Sequence, residues 1–202
     1  MFALIENQQI TKFYKGNKGV IIEGNQYPRS IFTLWSEAQR NAIGIFEVTV
    51  DTTNKKDEEW YINTNISYGV ESNKAVGSYG AATAKAIDDT LWTQEDSDNG
   101  DLPSDKSVGD IKTRGLKYNL IQTIKKQAAG ILQDTDWYIT RKADAGTAVP
   151  SAVTTHRAAV ITKSNEMETV ITNAADTPAL EALYTRDENG ERPLGEFPVL
   201  EN

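Results

Sequence analysis

The chain has 202 residues, with 21 Lys and Arg against 29 Asp and Glu, a formal charge of −8, no cysteine and one histidine. A chain of this length supports a packed core unaided, and its composition excludes disulfide frameworks, thiolate zinc sites, cysteine nucleophiles and a multi-histidine metal centre within one subunit. Net acidity argues against a polyanion partner. No stretch reaches the roughly 20 apolar residues of a membrane span, and residues 1–6 lack the basic start and apolar length of a signal peptide, so a soluble protein made inside a cell is expected.

Ala3-Leu4-Ile5 and the run from Gln9 to Tyr14 flank the polar pair Asn7-Gln8, which predicts a β-hairpin. Val20-Ile21-Ile22, with glycine on both sides at Gly19 and Gly24, suits a third short strand. Ser36 opens a short helix as N-cap with Gln39 as its capping-box partner, and Gly44 closes it. Phe46 to Val50 then alternates apolar and polar side chains, as a half-buried strand does. Residues 51–92 read as extended and loop-rich, with strands near 60–62 and 66–70. Residues 94–105 are dense in acid and have almost nothing to bury, so they are expected to be a linker.

Beyond the acidic stretch the hydrophobic period changes from 2 to 3.6. Leu116, Leu120, Ile124, Ala128 and Ile131 share one stripe, predicting an amphipathic helix over 108–134. Val153, Arg157, Val160, Ser164, Met167, Ile171 and Ala174 form a second stripe at alternating steps of four and three, after Pro150. Two such helices joined by a short connector pack most easily antiparallel. The expected architecture is therefore α+β: a β-rich module over 1–93, an acidic linker over 94–107, an antiparallel helical hairpin over 108–176 and an extended tail over 177–202 with a tight turn at Asn189-Gly190. The second stripe is expected to serve in docking or self-association, since a two-helix hairpin alone seldom buries its whole apolar face.

Sites for chemistry are sparse. An EF-hand loop starting at Asp96 fails because Asp101 and Ser107 stand where glycine and glutamate belong. Asp88-Asp89 point in different directions on any regular element, which favours a turn or a helix cap over an acid/base pair. His156 has no nucleophile-elbow pattern beside it, and Gly77-Ser78-Tyr79-Gly80 lacks the lysine of a P-loop. Neither catalytic residues, a cofactor nor a metal site is assigned. The four tryptophans are spread along the chain as core or interface anchors, and Trp137, at the start of the interhelical connector, is expected either to lock the two helices together or to act as a binding hot spot.

The run Leu132-Gln-Asp-Thr-Asp-Trp137-Tyr-Ile-Thr-Arg141-Lys-Ala-Asp-Ala-Gly146-Thr-Ala-Val-Pro150, continuing to His156-Arg157, resembles a segment of the bacteriophage tail assembly chaperone or tail-fibre assembly family. That segment has a leucine-rich helix, Thr-Asp-Trp, an arginine, an acidic-x-Gly step, a proline and a Tyr-Arg pair, with His156 here in place of the tyrosine. The resemblance covers about residues 110–175, and more weakly 1–50 through Ala3 to Asn7 and Ile43 to Val48. It implies a phage tail structural or adaptor protein of the fibre or baseplate, or alternatively a non-virion assembly chaperone. Its partners would be other tail, fibre or baseplate proteins and further copies of itself, with no nucleic acid and no membrane span. It would reside in the virion tail after assembly in the host cytoplasm and would be no enzyme. The expected partner-binding residues are Trp137, Tyr138, Arg141, His156, Arg157, Val160 and Met167.

Overall fold

A computed structural model describes residues 1–200, in an α+β arrangement that divides into two compact units, residues 1–83 and 84–202. In the first unit β1 (Phe2–Glu6) and β2 (Gln9–Tyr14) form the predicted hairpin, with Asn7 and Gln8 both at positive φ as a type I′ turn requires. The apolar run after Gly19 is itself half of a second hairpin, β3 (Val20–Ile22) with β4 (Asn25–Tyr27), turned at Glu23-Gly24. Two short helices follow, α1 (Ile31–Leu34) and α2 (Glu37–Asn41). Ser36 caps α2 with Gln39 completing the capping box, as the spacing predicts.

Strand β5 (Ile45–Asp51) pairs antiparallel with β1 on one side and parallel with β8 (Lys74–Ser78) on the other. The hairpin partner of β8 is β7 (Ser67–Glu71), giving a five-stranded sheet in the order β2-β1-β5-β8-β7. The sheet curls until its two edges meet. Phe13 on β2 packs against Tyr68 on β7 with ring centroids 4.9 Å apart, and Gln8 donates to Asn73 Oδ1 at 2.8 Å between the two hairpin turns. This contact blunts both edges without a backbone ladder. On the core side Leu4, Val20, Ile22, Ile31, Phe32 and Ile45 are buried together. Short β6 (Tyr61–Ile62) carries buried Tyr61 beside buried Trp60, and β9 (Thr83–Ala84) marks the junction of the units.

The second unit begins before the acidic stretch, not after it, and that stretch is folded. Strands β10 (Thr90–Leu91) and β11 (Ile111–Thr113) pair antiparallel, and the acidic residues form the loop between them. Within the loop α3 (Gln94–Asp98) is closed by a capping box in which Thr93 and Asp96 serve each other's backbone N–H groups. The linker expectation fails because capping and ion pairing here replace apolar burial: Lys112 Nζ lies 2.5 Å from Asp96 Oδ1 and 4.5 Å from the centroid of the Trp92 ring.

Helix α4 (Leu116–Gln133) starts at Leu116, well inside the predicted span, because residues 111–113 are committed to β11. The former connector holds a helix of its own, α5 (Asp136–Ala145), which ends at Gly146 in the left-handed conformation. Helix α6 (Ser151–Asn173) returns along α4. The antiparallel sense follows from two ties: Arg157 near the start of α6 bonds the end of α4 at Leu132, while Lys125 further back on α4 meets Glu168 further along α6. The expected extended tail instead opens with α7 (Thr177–Tyr184), capped by Asp176, with Leu180 fully buried. Its tight turn is present, with Gly190 at φ 80° and the Gly190 N–H donating to the Asp187 carbonyl. Among the described residues no helix is long and apolar enough to cross a membrane.

Candidate contact site at the helix corner

Along α6 the buried positions are Val153, His156, Val160, Ser164, Met167 and Ile171. The stripe is therefore the predicted one up to Ile171 with His156 in place of Arg157, and the predicted Ala174 falls outside it, as the half-buried C-cap in extended backbone. This settles the position of three expected partner-binding residues. His156, Val160 and Met167 face the interior of the unit and are 8%, 0% and 1% exposed, so they are not available to another protein. The physical reason is α4, whose Leu120, Ile124 and Ala128 supply the opposing face. Burying side chains of this kind stabilises the pair by roughly 1.5–3 kcal/mol each. Ser164, the polar member of the stripe, donates its hydroxyl to Glu168 Oε1 at 3.2 Å and is satisfied.

Arg157 sits one position off the stripe and does something the periodicity does not reveal. Its Nη1 lies 2.7 Å from the Leu132 carbonyl, 2.7 Å from Thr135 Oγ1 and 2.8 Å from Asp136 Oδ1. The guanidinium thus ties the Leu132 carbonyl near the end of α4, which also accepts the Thr135 N–H and hydroxyl, the buried hydroxyl in the bend, and the first residue of α5 to the start of α6. The Thr-Asp and Arg of the sequence signature are therefore one fastening, made across more than twenty residues of chain.

The fastening aims α5 outward. Trp137 is 55% exposed, so it does not lock the hairpin; Arg157 does. The Trp137 and Tyr138 rings meet at 5.3 Å, and the Arg141 guanidinium lies 4.4 Å from the Trp137 centroid and 5.7 Å from that of Tyr138. Residues 137 and 141 are one helical turn apart, which puts the cation above the indole face. Among the described residues Arg141 makes no ion pair, and its Nε is buried with no acceptor. A buried N–H left without an acceptor costs about 1–3 kcal/mol relative to one that is bonded. Three of the seven expected contact residues, Trp137, Tyr138 and Arg141, thus form one surface cluster; the other four build its support.

The titrating groups of this unit serve its scaffold. Asp89, one of the adjacent carboxylates, accepts the Gly115 N–H and the Arg114 guanidinium, which hold its carboxyl below the usual range. It bonds the N–H of Gly115, the N-cap residue of α4, while the helix itself has no side-chain cap. Asp96 is held down to about 2, chiefly by Lys112 and then by the Thr93 backbone N–H and hydroxyl. Among the described residues no group of three or more metal-ligating side chains comes together. Compared with known proteins, the chain matches no family model, no curated protein and no solved structure.

Proposed function

We propose that this chain is a bacteriophage tail structural or adaptor protein that acts by protein–protein contact in the fibre or baseplate and turns over no substrate. The observation that carries the contact site is the exposed Trp137 with the unpaired Arg141 guanidinium stacked on it. Trp, Tyr and Arg are the residues most enriched where a few side chains dominate binding. They sit on a helix whose approach is fixed by the Arg157 fastening, so little ordering is lost on association. A partner that sets a carboxylate beside an apolar group matches both the unpaired Arg141 charge and the exposed indole of the cluster. What supports the tail assignment is the signature around Thr135-Asp136-Trp137 and the weaker likeness over residues 1–50. The protein would be assembled in the host cytoplasm among tail, fibre or baseplate proteins and retained in the virion as a homo-oligomer.

Mass spectrometry of purified phage particles carrying this gene tests the assignment. Stoichiometric copies in the particle are expected. Absence from the particle, with fibres failing to assemble when the gene is removed, replaces the structural role with that of a departing chaperone. Normal infectious particles made without the gene end the tail reading altogether.

A further inference from the structure

The run from Lys12 to Gly19, which links β2 to β3 in the first unit, holds three lysines and no carboxylate in a chain of net charge −8. Lysines elsewhere, such as Lys55, Lys112 and Lys117, sit against carboxylates. Here Lys12 Nζ has only the Tyr14 ring, 5.5 Å from its centroid, and among the described residues Lys15 and Lys18 have no partner. The backbone is equally unengaged. Among the described residues no backbone hydrogen bond involves 15–19, so the N–H groups of this loop are left to solvent or to a ligand. Two glycines nevertheless fix its path: Gly16 is at φ 76°, where a Cβ would lie 3.2 Å from the Phe2 ring, and a Cβ at Gly19 would lie 2.7 Å from the Tyr27 carbonyl oxygen. The loop is seated on the core by close backbone approach, without hydrogen bonds of its own.

Residues 12–21 line a concavity of about 430 Å³, within the range of roughly 300–1,000 Å³ usual for small-molecule sites. Its lining pairs the three ammonium groups with apolar side chains that solvent reaches, Phe13 at 44% and Ile21 at 67% exposure. No carboxylate lines it. Glu6 and Glu23 line a separate hollow of the same unit, and the influence of Glu6 is felt at Tyr14, whose hydroxyl is pushed above its ordinary value by burial and then by that charge. Lysine ammonium groups and unbonded N–H groups of a turn are both donors suited to a phosphate. An extended polyanion fits poorly, because beyond this one loop it meets a net negative chain.

We propose that the concavity between β2 and β3 binds a small phosphorylated molecule, with the phosphate held by Lys15, Lys18 and the loop N–H groups and the apolar remainder resting against Phe13 and Ile21. Lys12 adds a third positive charge to the same lining. The two halves of the lining recognise the two halves of the ligand: a free anion uses only the first, and an uncharged apolar molecule only the second. The site belongs to the first unit, and it does not depend on the tail assignment or on the Trp137 cluster.

The test titrates the full chain with phenyl phosphate and with inorganic phosphate at low ionic strength, followed by amide NMR. Saturable shifts centred on residues 15–19 are expected, with phenyl phosphate binding at least threefold tighter than inorganic phosphate. Lys15→Gln with Lys18→Gln should weaken phenyl phosphate at least tenfold, and both positions are exposed, so the fold should be kept. Lys15→Arg with Lys18→Arg keeps the charge and should bind within a few-fold of the unmodified chain. Lys55→Gln with Lys56→Gln, a second pair of lysines in the same unit, should change nothing. Shifts that never saturate, or an equal loss in the two glutamine variants, would reduce the effect to general attraction and overturn the proposal. Phenyl phosphate no tighter than inorganic phosphate overturns it in favour of a free anion. Sedimentation with vesicles of phosphatidylcholine and phosphatidylglycerol should leave the protein in solution; lysine-dependent pelleting, without saturable binding of phenyl phosphate, would make the loop a membrane contact instead.

Discussion

Arg157 Nη1 and Asp136 Oδ1 are 2.8 Å apart, and through this pair the second turn of α6 holds the first turn of α5. The carboxylate side chain is 58% exposed and the guanidinium 19%, so the ion pair itself is a surface one and worth at most about 1 kcal/mol. The greater effect lies in the buried Thr135 hydroxyl, whose oxygen loses its charged donor if the guanidinium goes, together with the charged bond to the Leu132 carbonyl, which keeps the Thr135 N–H and hydroxyl. Arg157→Ala should therefore destabilise the second unit by about 2–3 kcal/mol, at the level of hydrogen bonds to a charged group, and Asp136→Ala by well under half of that. Urea unfolding followed by helical circular dichroism measures both. Equal losses in the two variants would mean that the ion pair, not the corner, is what Arg157 supports.

Trp137→Ala is expected to behave in the opposite way. The side chain is half in solvent and its ring contacts are with Tyr138 and Arg141 on the same helix, so the loss in stability should stay near 1 kcal/mol, mostly the cation–π contact with Arg141. Binding to the partner should fall by at least about thirtyfold, the weakening expected for a hot spot of 2 kcal/mol. A variant that unfolds several kcal/mol more readily would put Trp137 in the core after all. Val160→Asp gives the contrasting pattern: at 0% exposure it should unfold the α4/α6 pair, and any assembly defect it causes would be secondary.

These contrasts show which parts of the molecule were legible in the sequence. Ser36 and Gln39 announce α2 because a capping box is closed within four residues and needs nothing from the rest of the chain. The α4 stripe is legible for the same reason, since its period is local and apolar. The α6 stripe misleads by one position at Arg157, where two polar residues stand side by side and only the third dimension decides that His156 turns inward. The acidic loop reads as solvated chain because its stabilising partner, Lys112, lies sixteen residues beyond Asp96. The Trp137 cluster was visible as residue types and invisible as a surface: nothing local says that a Trp at a helix start will be carried outward by an arginine on another helix.

Gly115 offers a sharper test of the corner between residues 86–89 and α4. It is the N-cap of α4, and the first N–H groups of that helix are taken by the Ala86 and Ile87 carbonyls and by Asp89. A Cβ at this position would lie 2.4 Å from the Asp88 carbonyl carbon and 2.5 Å from two backbone oxygens. Backbone cannot step aside as a side-chain end can. Gly115→Ala should cost about 1–3 kcal/mol, the range for overpacking a filled site, and should do so although alanine is the better helix former. Ala at Gly130, where a Cβ meets nothing, is the control and should stabilise α4 slightly.

The acidic loop should show a specific pH response. Asp96 is held at about 2 in the folded chain against an ordinary value of 3.8. Its carboxylate therefore favours the folded loop fully above pH 3.8, and that contribution is lost as the pH falls from 3.8 through 2. Lys112→Gln removes the main cause and should move the Asp96 titration upward toward 3.8, read by carboxyl carbon NMR, with the loop losing amide protection at a higher pH than in the unmodified chain. An unchanged Asp96 midpoint would assign the depression to the Thr93 capping box alone.

The last expectation concerns the first unit, whose hairpins turn on residues ill suited to their backbone. Glu23 adopts φ 48° ahead of Gly24 at φ 80° in the β3/β4 turn. A left-handed conformation costs an ordinary L-residue roughly 1–2 kcal/mol, and Asn is the residue that tolerates it best short of glycine because its short amide bonds its own backbone. Glu23 is exposed and makes no ion pair among the described residues, so little is lost when it is replaced. Glu23→Asn, creating the Asn-Gly pair preferred in type I′ turns, should therefore raise the melting temperature of the first unit by a few degrees. Gln8, also at positive φ, should respond differently, because Gln8→Gly relieves the backbone but removes the bond to Asn73 that holds the two sheet edges together. Calorimetry of the full chain reads both variants. A Glu23→Asn chain that melts at or below the original temperature would mean that the turn is not strained, and a Gln8→Gly chain that gains as much as Glu23→Asn would mean that the bond between the edges contributes nothing.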